Sequence, residues 1–166
     1  APMGKIFDKD GDTARKGSLN TKLLQALDAL PYYGDPFPKS TGYEWFRDAV
    51  IPLLSIHPDT PENLLHTGVR HIAGQISRSV QSLSGSGAQT VLVTGGGAFN
   101  SYLIEVLQEL LGKRIRLELP GPELISYKEA LVFGFLGALR LAGRPNVLAS
   151  VTGAERDSCS GILYLP

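Results

Sequence analysis

Val91-Leu92-Val93-Thr94-Gly95-Gly96-Gly97-Ala98-Phe99-Asn100 decides the architecture. Its first three residues form a short, continuous, β-prone apolar run, which suits a buried strand and is too short for a helix. The three glycines that follow admit positive φ and carry no side chains, so the chain can turn tightly and a ligand can approach the backbone. From Ser101 to Leu111 apolar residues recur at helical spacing. Ile115-Arg116-Leu117-Glu118-Leu119 then reads as a second strand, half-buried by its alternation, and Pro120-Gly121-Pro122 closes it. Strand, helix and strand in this order predict an α/β fold, parallel strands covered by helices.

Outward from this unit the chain reads as helical. Leu19, Leu23, Leu24, Leu27 and Leu30 repeat every three or four residues, with Ser18 placed to cap them. Pro31 to Pro38 is an irregular loop, because each proline removes a donor and restricts its neighbours. Thr41-Gly42-Tyr43-Glu44 has capping-box spacing ahead of Trp45, Phe46 and Val50, and Pro52 should end or bend that helix. Thr60-Pro61-Glu62 starts a long helix whose apolar face is Leu64, Leu65, Val69, Ile72, Ile76, Val80 and Leu83, with Ser84-Gly85-Ser86-Gly87 as the stop. Ser126 to Leu141 is helical again, ended by Gly143 and Pro145. Two strands are few for a parallel sheet, which usually has about five, so the remaining strands are expected in sequence not present here.

Composition narrows the function. Lys and Arg together number 16, as do Asp and Glu, so net charge is zero; a general attraction to nucleic acid or anionic membrane is not expected. Apolar stretches such as Ala130 to Phe135 are too short to span a bilayer. The single cysteine, Cys159, cannot make an internal disulfide and has no metal-ligand neighbours, which fits a cytoplasmic protein. The chain opens Ala1-Pro2-Met3-Gly4, which reads as a processed product, a tag remnant or an excerpt of something longer.

Several local patterns bear on chemistry. Gly95, Gly96 and Gly97 precede a helix N-terminus, whose unpaired N–H groups and positive dipole end suit phosphate. The segment matches neither the P-loop nor G-x-G-x-x-G, and an ordinary tight turn explains it as well. Glu129 opens the row Glu129, Val132, Phe133, Leu136, where a carboxylate could bond a sugar hydroxyl; Ser126-Tyr127-Lys128-Glu129 is equally a capping box. Asp8-Lys9-Asp10-Gly11-Asp12 resembles a calcium loop, but its glycine comes two places early and Leu19 stands where a bidentate glutamate is required. His57, His66 and His71 lack ligand spacing, so no metal site is expected. The loop Phe37-Pro38-Lys39-Ser40-Thr41-Gly42 has a cation and two hydroxyls that could hold an anion, with capping as the plainer role of Thr41.

Five segments in order resemble anhydro-N-acetylmuramic acid kinases: Phe7-Asp8-Lys9-Asp10-Gly11, Pro38-Lys39-Ser40-Thr41-Gly42 before Glu44-Trp45-Phe46, Thr94 to Asn100, Lys128-Glu129-Ala130, and Ser150-Val151-Thr152-Gly153-Ala154. The resemblance covers Phe7 to Tyr164. It implies the actin-like, sugar-kinase and Hsp70 ATPase architecture of two RNase H-like lobes, with residues 1–166 as part of the C-terminal lobe and the N-terminal lobe and early strands absent. It implies a parent kinase that uses ATP, Mg²⁺ and water to open 1,6-anhydro-N-acetylmuramic acid and form N-acetylmuramic acid 6-phosphate in peptidoglycan recycling, and a homodimeric full-length parent. Carried over by position, Gly95, Gly96, Gly97 and Asn100 are expected at the nucleotide and Glu129 is expected, as a catalytic group, to face the sugar. Phe99 and Tyr43 depart from the family pattern, which commonly has His and Arg there. The family's catalytic aspartate, in a segment like G-F-D-T-G-P-G-N, is expected shortly before Ala1, so the isolated chain is expected to be inactive. The other function class is a stand-alone, non-catalytic domain that binds a nucleotide or a partner.

Overall fold

The computed structural model describes residues 7–36 and 39–164; Phe37 and Pro38 of the expected anion loop, and the opening residues Ala1 to Gly4, lie outside them. The chain divides into two compact units, Ala1–Pro120 and Gly121–Pro166.

The first unit begins with a tight turn, Lys9–Gly11, and a 3₁₀ turn, Ala14–Lys16. Helix α1 follows (Thr21–Asp28), capped by Asn20, whose Oδ1 accepts from the Leu23 amide at 3.0 Å. Ser18 is therefore not the cap. Its amide donates instead to Asn63 Oδ1 at 2.7 Å, a tertiary bond that local spacing does not reveal. Leu23 and Leu27, one turn apart, are fully buried.

The expected loop contains a 3₁₀ turn, Pro31–Gly34. Helix α2 (Tyr43–Trp45), a π turn (Phe46–Val50) and α3 (Ile51–Ile56) then run on without a break. Gly42 holds the cap position with no side-chain bond, so Thr41 does not close a capping box. Pro52 does not end the helix. The Ile51 amide reaches back five residues to Phe46 O, and this wider turn makes room for a ring that would otherwise crowd the preceding carbonyls.

Helix α4 (Pro61–Leu83) starts as its sequence predicts, with Thr60 Oγ1 accepting from the Asn63 amide at 3.3 Å and proline in the first turn. Its buried face differs from the apolar stripe. Thr67, Val69, His71, Ala73 and Ser77 face inward, whereas Leu65, Ile72, Ile76 and Leu83 are exposed. Small and hydrogen-bonded side chains let α4 pack closely, and the polar ones are satisfied: Thr67 Oγ1 donates to Asn63 O at 2.8 Å and accepts from the Asn20 amide at 2.9 Å.

Strands β1 (Gln89–Leu92) and β2 (Ile115–Glu118) pair in parallel, Gln89 opposite Ile115 and Leu92 opposite Glu118, joined through α5 (Ser101–Leu111). The β-α-β reading holds, and β2 alternates as expected. Strand β1 alternates too, with Thr90 and Leu92 exposed, so it is not buried on both faces. One sheet face meets the core of Val69, Ala73, Val106, Leu107 and Ile115, with Val91 and Leu117 against it.

The second unit holds α6 (Pro122–Leu141) and a short α7 (Ala149–Thr152). Helix α6 starts four residues before the predicted Ser126, because Pro122-Glu123 is itself a helix start. Asn146 staples its far end: Nδ2 donates to Leu136 O (3.2 Å) and Ser160 O (3.1 Å), and Oδ1 accepts from the Ser160 amide (2.8 Å). An antiparallel bridge joins Val147 and Ser158.

Candidate functional site

Beyond β1 the chain extends its pairing by one bond, from the Val93 amide to Glu118 O at 2.9 Å, and then turns. Gly95 makes the turn at φ +87° and ψ 172°, a conformation open in practice only to glycine. Gly96–Phe99 forms a 3₁₀ turn that buries Ala98 and leaves Phe99 exposed. Asn100 then caps α5, its Oδ1 accepting from the Leu103 amide at 3.0 Å. A Cβ added at Gly95 or Gly96 would meet no atom within 4 Å, so neither glycine is required by close packing of this chain. The bare backbone faces open space.

That space is a groove of about 490 Å³ lined by Gly96, Gly97, Phe99 and Asn100 on one side and by Phe7 to Asp10 on the other. The Asp8 carboxylate positions the second wall by accepting from the Thr13 and Ala14 amides, both at 2.9 Å. Asp10 sits in the left-handed region at φ 55°, which Asp tolerates better than most residues, and its carbonyl accepts from Ser101 Oγ at 3.0 Å. Gly11 (φ +72°) presses on Asn100 and Tyr102, where an added Cβ would lie 2.6 Å from Tyr102 Cβ. Arg15 clamps the segment from below by a two-pronged pair with Glu105 (2.5 and 2.8 Å) while lying over the Tyr102 ring.

The groove thus combines uncovered backbone, one cation in Lys9, a carboxylate in Asp10 and two aromatic walls in Phe7 and Phe99. Such a surface suits a phosphate-bearing ligand with a planar, apolar part. The structure brings Gly95, Gly96, Gly97 and Asn100 together in one turn, with the Asn100 carboxamide oxygen engaged in capping. Sequence reading missed Lys9 and Asp10 as groove residues. The signal available was Asp-Lys-Asp-Gly, weighed as a calcium loop and as one segment of the family resemblance, but not as a wall of the groove.

Glu129 belongs to the second unit. It is exposed on the third turn of α6, and since the helix begins at Pro122 the capping-box account of Ser126 to Glu129 fails. The face Val132 and Phe133 that follows it is exposed as well.

A second polar cluster joins α1, the 3₁₀ turn and α4. His71, 6% exposed, donates from Nδ1 to Asp28 Oδ1 at 2.6 Å, and its Nε2 lies 2.8 Å from the Tyr33 hydroxyl. Gln75 (3.1 Å) and Arg78 (3.0 Å) reach the same Asp28 oxygen. Burial pushes the Asp28 carboxyl upward, but the hydrogen bonds from His71 and Arg78 and their charges together hold it below its usual value. Burial raises the Tyr33 hydroxyl, which argues for a structural phenol. Lys39, expected to serve an anion, donates from Nζ to the Tyr32 (2.8 Å) and Tyr33 (3.2 Å) carbonyls and lies over the Tyr32 ring.

Among the described residues no group of three or more His, Cys, Asp or Glu is arranged to hold a metal ion, and no helix is long and apolar enough to cross a membrane.

Comparison with known proteins adds the family. The model of the anhydro-N-acetylmuramic acid kinase family matches residues 1–166. A curated relative from Streptomyces coelicolor, named anhydro-N-acetylmuramic acid kinase, is 36% identical over an alignment that covers 93% of this chain and 40% of the relative. The chain therefore spans about two fifths of that relative's length. The family model matches the whole chain, and the chain belongs to the anhydro-N-acetylmuramic acid kinase family.

Proposed function

We propose that this chain is part of the C-terminal lobe of a two-lobe sugar kinase of the actin, sugar-kinase and Hsp70 ATPase kind, and that it supplies the wall against which ATP binds. The observation that carries the reading is the open backbone at Gly95 and Gly96, with no neighbouring atom to explain it, beside a groove that also presents Lys9. Backbone N–H groups of the turn and the Lys9 ammonium bind the phosphates, and Phe7 and Phe99 give the base an apolar surface. Gly95 sets the turn, and Asp8 holds the opposite wall through two backbone amides. Mg²⁺ arrives with the nucleotide, since this ion is commonly held by phosphates, waters and one or two carboxylates rather than by a protein cage. Asp10 is the carboxylate of the groove available for that purpose.

In the whole protein the reaction is the ATP-dependent, hydrolytic ring opening and phosphorylation of 1,6-anhydro-N-acetylmuramic acid, giving the 6-phosphate. The name of the matching family, and of the Streptomyces coelicolor relative, supports this substrate. Glu129, exposed and free of capping duty, orients a sugar hydroxyl. Phosphoryl transfer relies on positioning and charge stabilisation from groups around the nucleotide, so a second lobe and the residue that activates water complete the site. The whole protein acts as a homodimer.

The test is product formation. The full-length protein, incubated with ATP, Mg²⁺ and the anhydro sugar, should release ADP and the sugar 6-phosphate in equal amounts by mass spectrometry. A folded full-length protein that binds ATP yet forms no sugar phosphate would contradict the substrate, and one that binds no ATP would contradict the site.

A further inference from the structure

Gln108, half-buried on α5, commits its whole carboxamide to backbone beside it. Oε1 accepts from the Leu117 amide at 2.9 Å, while Nε2 donates to Ile115 O at 2.9 Å and to Gly112 O at 3.0 Å. Ile115 O and Leu117 N–H lie on the edge of β2 that faces away from β1. The inner edge is marked by Arg114 O, which accepts from the Gln89 amide at 3.1 Å, and by Glu118 O, which accepts from Val93. In a parallel sheet, the carbonyl of one residue and the N–H two residues on are the groups that the C=O and N–H of a single residue of a neighbouring strand engage. The Gln108 side chain occupies that position. On the other side of the sheet Thr90 and Leu92 face outward from β1, both exposed, and no backbone bond from either is made outside the β1–β2 pair among the described residues.

We infer that Gln108 closes the β2 edge by standing in for one residue of a third strand, so that the sheet extends past β1 alone. The segment that extends it is an extended stretch of the longer polypeptide, since this chain spans two fifths of its relative's length. This last step rests on the reading that the chain is part of one lobe of a longer kinase. The seal matters because an unpaired strand edge is a template for pairing with another chain. A side-chain amide on the helix that packs against the strand removes that template with no added backbone.

Two variants of the full-length protein test it, Gln108→Leu and Gln108→Lys. Both remove the acceptor from the Leu117 amide, whose hydrogen exchange by mass spectrometry or NMR should quicken about tenfold, the equivalent of one hydrogen bond. Only the Leu variant leaves an edge without charge, so it should form larger species in sedimentation velocity while the Lys variant sediments as the parent does. The Thr90 and Leu92 amides should be protected in the full-length parent and in both variants. Unchanged Leu117 exchange, equal association of the two variants, or unprotected Thr90 and Leu92 in the parent would each overturn the inference. Where the Leu variant does not fold, Leu117 exchange in the Lys variant decides alone. ATP binding by the parent is measured separately, so a failure of the kinase reading is distinguishable from a failure of the seal.

Discussion

Gly11 packs its bare Cα against the side chain of Asn100, the residue whose Oδ1 caps α5 directly after the glycine turn. The contact ties the two walls of the groove together. Gly11→Ala introduces a Cβ at φ +72° that would also meet Tyr102 Cβ, so the walls must part. A loss of about 3 kcal/mol in stability is expected, with weaker ATP binding as Asn100 shifts. Chemical denaturation of the full-length protein measures the first and calorimetry the second. A stable variant with intact affinity would uncouple the walls.

The Asp28–His71 pair gives stability a definite pH dependence. Asp28 is held below its usual value of 3.8 in the folded protein. Its contribution is therefore complete above that unfolded value and is lost as pH falls through the lower, folded one. Asp28→Asn should reduce stability by about 1 kcal/mol at neutral pH and flatten the acid limb of the melting curve below pH 4. Melting temperatures of both proteins from pH 7 to 3 check this, and parallel acid limbs would contradict it.

Much of the fold was legible because the decisive signals are local. Thr60-Pro61-Glu62 starts α4, the glycine run turns after β1, and alternation marks β2, each through its own backbone chemistry. The losses are tertiary. Asn20 outcompetes Ser18 as a cap because Asp59 and Thr67 hold it, by bonds from Asn20 Nδ2 to Asp59 Oδ2 and from the Asn20 amide to Thr67 Oγ1, both at 2.9 Å. Thr67, His71 and Ser77 are buried where periodicity selects Ile72 and Ile76, since hydrogen-bonded partners from other elements make polar burial tolerable. At the site, the glycine turn was readable, but its opposite wall was not. Asp8 to Asp10 reach the groove through a contact between Gly11 and Asn100 that spans 89 positions in sequence, and no local pattern announces it.

Glu129 has lost its capping explanation, which sharpens its test. Glu129→Gln should leave the melting temperature within about 1 °C, as for a surface substitution without special contacts. Turnover of anhydro sugar by the full-length protein should fall by about tenfold or more if the carboxylate positions a hydroxyl. Unchanged turnover would remove Glu129 from the site.

Residues 1–166 assayed alone with ATP, Mg²⁺ and the anhydro sugar should yield no sugar phosphate. One glycine turn and one helix terminus stabilise only part of the charge of a transferring phosphoryl group. Adding the rest of the parent as a separate polypeptide should restore some activity. Product from the purified chain, abolished by Glu129→Ala, would contradict this.

The most direct measurement is ATP affinity of the full-length protein and its Gly96→Val variant by calorimetry, read beside their melting curves. Gly96 lacks positive φ, and a Cβ there meets no atom of the chain, so the variant should fold with a melting temperature close to the parent's. On the proposed reading the side chain would fill the space that phosphate takes, so affinity should fall about tenfold or more. Equal affinity in two equally stable proteins would mean that the glycine turn does not touch the nucleotide.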